Sequence, residues 1–298
     1  MPDTPSDNLD EPYPANSVTE QLQIPDNTLD GRFSKTNFPF QKSQNPHQPL
    51  NSLGHLDMLP VELLSEVLLD LDVCTLMAFR CVNRQAIAIV DSLPNFRRVV
   101  ENCIDVIRAI VATGANDYTF NTLYNRLSMS DCVKCGRFGG YLYLITCQRL
   151  CYFCFTRDEA FYPITESTAR RIGIRKGDLK KLPHLLSLPG QYTGFEKLSK
   201  KRIKLFDREA VQQRAQDDRW IVVTGRQIDR TTLEPARYMV IISVPHFRTG
   251  NGIDRGVHCL GCRDILEKRI KYSQTAILDH FRQCGPVREI RGRMQHVP

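Results

Sequence analysis

With 298 residues, 42% of them hydrophobic and 24% charged, the chain has the composition of a globular protein with an ordinary core in one or two domains. Its apolar runs, such as "MVIISV" at 239–244, stop far short of the roughly 20 residues that cross a bilayer, and "MPDTPSDNLDEPYPANS" lacks the basic start and apolar stretch of a signal peptide. An intracellular, thiol-reducing setting (cytoplasm or nucleus) follows as the expectation, with no membrane partner, and there grouped cysteines read as metal ligands in preference to disulfides.

Charge divides the chain. Residues 1–92 hold 5 Lys/Arg against 13 Asp/Glu, a balance of −8, whereas the remainder holds 35 against 20, or +15. Such asymmetry suggests two modules with different partners. Residues 1–52 contain 8 of the 17 prolines, many Asn, Ser, Asp and Gln, and no sustained periodicity, so a disordered leader is predicted there.

Residues 53–100 change character. Leu59, Leu63, Leu64, Val67, Leu68 and Leu71 fall at helical spacing, with Pro60 at a first helical position. Asp72 caps a second helix carrying Leu76, Phe79 and Val82, and a third carries Ile87, Ile89 and Val90. None of the three is long enough to be stable alone in water, so they must pack together or on a partner. The order Leu59-Pro60, Glu62-Leu63-Leu64, Val67-Leu68, Leu71-Asp72, Leu76, Val82 and Arg84 resembles an F-box, departing where that family often has tryptophan, near Ala86. The resemblance implies a three-helix unit that docks on the Skp-type adaptor of an SCF-type cullin ubiquitin ligase through Leu59, Pro60, Leu63, Leu64, Val67 and Leu68. On the residues alone, the same leucines also suit the core of an ordinary helical bundle.

A longer amphipathic helix is predicted from Pro94 to Gly114, burying Phe96, Val99, Val100, Cys103, Ile104, Ile107, Ile110 and Val111, and a shorter one carries Phe120, Leu123, Tyr124 and Leu127. Cys74, Cys81 and Cys103 read as small core residues.

Five cysteines then fall within 23 residues: Cys132, Cys135, Cys147, Cys151 and Cys154. The pairs Cys132-x2-Cys135 and Cys151-x2-Cys154, 15 residues apart, have the spacing of a four-thiolate zinc site. Each C-x-x-C turn aims two sulfurs at one centre, and an intervening hairpin, with a strand at "YLYLI", brings the pairs to tetrahedral positions. Four cysteines fill the coordination sphere, so the Zn2+ is structural. Cys147 is the surplus thiol, read as buried support; were 147–154 helical it would share a face with Cys151 and Cys154.

A second set combines Cys259-x2-Cys262 with His280-x3-Cys284 after 17 intervening residues. Ser273 caps a helix placing Ile277, His280, Phe281 and Cys284 on one face, and Gly285-Pro286 ends it. A knuckle and a helix sharing a second zinc are predicted, with His258 as a rival ligand. His47 and His55 lie in or near the leader, and His184, His246 and His296 have no ligand-like spacing. "KLSKKRIK" at 197–204 reads as a solvated basic face, although a nuclear signal or a phosphate-binding patch has the same composition. Short helices ("TESTARRIG") and strands ("WIVVT", "YMVIISV") fill the rest, with a loop at "LPHLLSLPGQY".

The expected fold class is α+β: a three-helix F-box, then helices and an irregular zinc-stabilised α+β region over 101–298. Together the motifs of residues 56–285 are similar to the Cys-rich F-box proteins of filamentous fungi. That likeness implies a non-enzymatic substrate receptor, with a Skp-type adaptor, a cullin and an unknown protein substrate as partners. The competing function is a zinc-dependent nucleic-acid-binding protein using the basic C-terminal region, although its cations are scattered along the chain. A RING-type ligase needs interleaved ligands, and 104 residues separate Cys154 from Cys259.

Overall fold

A computed structural model describes residues 18–20, 26–33, 52–192, 199–217, 235–250, 252–262 and 267–297. The chain forms two compact units, one of residues 25–254 and one made of residues 1–24 with 255–298. This division differs from the expected sequence-continuous one, because chain ends far apart in sequence meet in the smaller unit. There β1 (Thr19–Glu20) pairs antiparallel with β10 (His258–Cys259).

In the larger unit, the segment that resembles an F-box forms α1 (Val61–Leu69), α2 (Val73–Arg80) and α3 (Arg84–Ser92). Pro60 sits at the cap, one position ahead of the helix, and its carbonyl accepts from the Leu64 amide at 3.0 Å. Asp72 accepts from the Thr75 amide at 3.0 Å and Asn83 from the Ala86 amide at 2.8 Å, so α2 and α3 each begin on a side-chain cap. Arg80, nearly fully buried, grips Asp91 of α3 through two bonds of 2.7 and 2.8 Å, a bidentate clasp between α2 and α3.

The long helix α4 (Pro94–Thr113) carries the apolar stripe but breaks at Cys103, whose φ of −154° and ψ of 46° are not helical. Gly114 closes it in the left-handed conformation, φ 69°, where a side chain would be strained. Cys74 and Cys103 are half-buried, but Cys81 is exposed, correcting its reading as a core residue. Next comes α5 (Phe120–Leu127), capped by Thr119.

β2 (Tyr141–Tyr143) and β3 (Gln148–Leu150) form the predicted hairpin, and β7 (Ile241–Ser243) adds to β2, giving the order β3-β2-β7, after which β8 (His246–Phe247) pairs with β9 (Ile253–Asp254). A short helix, α6 (Tyr152–Arg157), follows β3 directly. "TESTARRIG" yields β4 (Ile164–Thr165) and the helix α7 (Glu166–Arg171). "LPHLLSLPGQY" is not all loop: His184–Leu186 forms β5, which with β4 flanks β6 (Lys204–Phe206). "WIVVT" lies outside the described residues. Leu29 is fully buried, Phe33 nearly so, and the Leu29 amide donates to the Ile241 carbonyl at 2.9 Å. Disorder is therefore the wrong description of 26–33 and of 18–20. Two core hydrophobes and one strand are too few to lift the average of a polar, proline-rich stretch.

The smaller unit holds β1, β10, α8 (Ala276–Cys284) and a hairpin of β11 (Val287–Ile290) and β12 (Arg293–His296). Its core gathers Val18, Cys259, Cys262, Ile277, Phe281 and Val287.

Two candidate metal centres and an exposed helical face

The first centre is built by the β2–β3 hairpin. The Gly136 amide donates to the Cys132 carbonyl at 2.9 Å and the Cys132 amide to the Arg137 carbonyl at 2.7 Å, closing a tight knuckle. Gly136 has φ 71°, and a Cβ on Gly139 would lie 2.8 Å from Arg149 Cγ and 3.1 Å from the Cys132 nitrogen. Glycine is thus needed at both positions for the knuckle to fold against β3. The second pair leaves β3 at Cys151 and enters α6 at Cys154. The sulfurs of Cys132, Cys135, Cys151 and Cys154 all lie within 4.8 Å of one another, with Cys135 and Cys151 at 3.6 Å. A tetrahedral ion with Zn–S bonds of about 2.3 Å spaces sulfurs by about 3.8 Å, so the set fits a zinc-sized cation.

Its electrostatics agree. The Cys132 thiol is held down to about 4, chiefly by the hydrogen bond from Cys151, and the Cys151 thiol is pushed up by the same bond. Burial pushes Cys154 up to about 12. One sulfur readily carries charge while its neighbours resist, and a divalent cation is what permits several thiolates to share the centre. Cys147 stands apart. It sits in the β2–β3 turn at φ 55°, fully buried, its thiol pushed up to about 12 by burial. Since 148–150 is a strand, the helical face shared with Cys151 does not exist. A thiol so protonated is a poor nucleophile.

The second centre brings together Cys259, Cys262, His280 and His296, whose ligand atoms lie within 4.8 Å of one another. This corrects the sequence reading in one ligand: His296 on β12 takes the place given to Cys284. The reason is the orientation of the His280 ring. Its Nε2 faces Cys262 Sγ at 3.5 Å, while its Nδ1 faces Cys284 Sγ at 3.6 Å, so Cys284 lies behind the ring. His296 Nε2 lies 3.3 Å from Cys259 Sγ and 3.8 Å from Cys262 Sγ, close to the ~3.5 Å between nitrogen and sulfur in a tetrahedral zinc site. Its Nδ1 is 2.8 Å from the Gly285 carbonyl, which as acceptor fixes the tautomer that leaves Nε2 free to bind a cation. His280 is steadied by stacking on Tyr272, centroids 4.6 Å apart. The helix is capped as expected, with Ser273 Oγ accepting from the Ala276 amide at 3.1 Å.

A Cβ on Gly261 would meet Val287 Cγ2 at 2.7 Å and the His296 ring at 3.0 Å, so glycine lets the knuckle touch the hairpin. The Cys259 thiol is drawn down to about 5, first by the hydrogen bond from Cys262. His258 is no ligand in this set: buried, and held down to about 4 by that burial, it directs Nδ1 to the Glu20 carbonyl at 3.3 Å.

The third feature is the face of α1. Leu63 and Val67 are each 50% exposed, one turn apart, and Met58, Leu59, Pro60 and Val61 are also exposed beside the helix start. Leu64 and Leu68, at 4% and 2%, point into the core, away from this exposed face. Of the six residues proposed for docking, four are therefore on the surface, beside the exposed Met58 and Val61, which the sequence reading did not single out. The alternation was visible in principle, because Leu63/Val67 and Leu64/Leu68 are separate i,i+4 pairs; without the neighbouring helices, the sequence does not say which pair turns inward. No curated protein and no solved structure matches the chain. The family model for the F-box domain matches residues 56–98, the segment that carries this face.

Proposed function

We propose that the protein is the substrate-recognition adaptor of an SCF-type ubiquitin ligase. Its F-box docks a Skp-type adaptor through Leu59, Pro60, Leu63 and Val67, with Met58 and Val61, and the adaptor links it to a cullin. The observation that carries this reading is the apolar face of α1 left in water by a segment matched to the F-box domain. F-box domains generally act as non-enzymatic adaptors, and the chain itself then performs no chemistry. Zinc is the cation proposed for both centres, held by Cys132, Cys135, Cys151 and Cys154 and by Cys259, Cys262, His280 and His296. Four protein ligands at each make its role structural: it fixes the knuckles and the elements that leave them. Kinship with the Cys-rich F-box proteins of filamentous fungi belongs to the same proposal.

Co-expression with a Skp-type adaptor tests it. A stable complex is expected from the intact chain, and failure to co-purify overturns the docking reading. Nucleic-acid binding remains the second reading, favoured by the exposed Arg288, Arg291 and Arg293 of the C-terminal hairpin. It requires binding that weakens steeply with salt.

A further inference from the structure

We propose that the turn joining α7 to the one-turn helix Lys176–Leu179 is a docking surface for the phosphate backbone of a nucleic-acid duplex. Residues 170–181 place Arg170, Arg171, Arg175, Lys176, Lys180 and Lys181 on the surface, all exposed. The stretch has one carboxylate, Asp178, and it turns to Arg214 of the helix Arg208–Asp217, 3.3 Å away. Among the described residues none of the six cations forms an ion pair; Arg171 alone reaches a side chain, the neutral Thr168 hydroxyl at 3.2 Å. Elsewhere exposed cations are matched, Lys134 with Asp158 and Glu209, and Arg282 with Asp279. Here the positive charge is concentrated and left uncompensated, and a polyanion is what relieves its self-repulsion.

The cations stand on folded chain, not on a tail. Thr165 caps α7 by accepting from the Thr168 amide at 3.3 Å. Gly173, at φ 98°, then turns the chain: its amide donates to the Arg170 carbonyl at 3.0 Å, and the Ile174 amide to the Ala169 carbonyl at 3.1 Å. Ala169, Ile174 and Leu179 are buried in one core with Ile164 of β4 and Phe206 of β6, so the charged residues between them are turned to water. That surface offers charge and little else. None of the large apolar side chains exposed among the described residues lies in 165–181, so a peptide has no anchor there and a bilayer nothing to take up. The stretch also has no aromatic residue on which the bases of a single strand could stack. A duplex backbone requires only cations, and it is met without regard to sequence. The inference goes beyond adaptor docking and does not rest on it, and its residues are distinct from Arg288, Arg291 and Arg293 of the C-terminal hairpin.

The test titrates the full-length chain into a fluorescent DNA duplex of about 20 base pairs and arbitrary sequence, following anisotropy between about 50 and 200 mM salt. With all six cations on phosphates, log K should fall against log salt with a slope of about −5, a roughly thousandfold loss of affinity over that range. Arg175→Ala combined with Lys176→Ala removes two contacts and should flatten the slope by about 2, while Arg291→Ala combined with Arg293→Ala should leave it unchanged. Arg170→Gln combined with Lys180→Gln should act as the first pair does, and replaces it if far-UV circular dichroism shows the first pair misfolded. Co-purification of a Skp-type adaptor with the same variants should be unaffected, so that failure of adaptor docking and failure of this inference are seen separately. A wild-type slope shallower than about −2, or an unchanged slope in a folded patch variant, overturns the proposal. So does a loss confined to the hairpin variant, which would move the contact there. Displacement of the duplex by polyglutamate as readily as by unlabelled duplex also overturns it, and would make the surface a site for an acidic protein.

Discussion

Leu63→Asp and Leu64→Ala, neighbours in sequence, should fail in opposite ways. Leu63 is half exposed, so an adaptor covering it removes about half a leucine side chain from water, on the order of 1 kcal/mol. A carboxylate in that contact adds a desolvation cost of several kcal/mol, and a total near 4 kcal/mol corresponds to roughly a thousandfold loss of affinity. The unbound protein should hardly notice, because the site is in water and an acidic residue in the first turn of α1 interacts favourably with the helix dipole. Leu64 is 4% exposed; truncating it to alanine should cost about 2–5 kcal/mol of stability, a fall in Tm of roughly 5–15 °C, while the docking face keeps its side chains. Titration calorimetry against a Skp-type adaptor, paired with thermal unfolding of the free protein, measures both. The reasoning is refuted if Leu63→Asp binds normally, or if it melts as Leu64→Ala does.

Elemental analysis of purified protein should give two zinc ions per chain; one would mean that one of the two four-ligand sets is misread. His296→Ala should lower the count to one while Cys284→Ser keeps both, and the reverse result would restore Cys284 as the ligand. Gly261→Ala should weaken the second ion selectively, since the added methyl would press on the His296 ring 3.0 Å away, with competition against a chelator as the measurement. Incubation with charged ubiquitin-conjugating enzyme should leave no thioester on any cysteine; a ubiquitin adduct seen by intact-mass spectrometry would overturn the adaptor reading.

What the sequence made legible was local. Asp72 before a helix, Gly114 after one and Ser273 three residues before Ala276 are signals within one turn of chain, and each cap is present. The four cysteines of the first centre were legible for the same reason: one tight knuckle and one strand-to-helix step flank a single hairpin, and 23 residues contain the whole cluster. Elements made by distant pairing were not. β5 is a strand because β6 lies beside it, and Leu29 is core because the Ile241 carbonyl accepts its amide. Neither fact leaves a periodicity to read.

The second centre lies between these cases. Its knuckle and helix were legible, and the helix itself produced the error, since His280 and Cys284 at i,i+4 share a face, as zinc-finger ligands do. Sharing a face does not make both residues ligands of one ion. A ring that offers Nε2 to the centre turns Nδ1 along its own helix, and that is where Cys284 lies. The fourth member of the cluster, His296, had its own signal, a two-residue Arg291-Gly292 loop between short strands. Both residues adopt positive φ, 52° and 75°, the requirement of a primed hairpin turn. That turn sends β12 back along β11 and returns His296 opposite Val287, over the Gly261 knuckle. Reading the turn first would have shown that a histidine near residue 298, with no ligand-like spacing, is carried back to Cys259, Cys262 and His280 by the strand on which it lies.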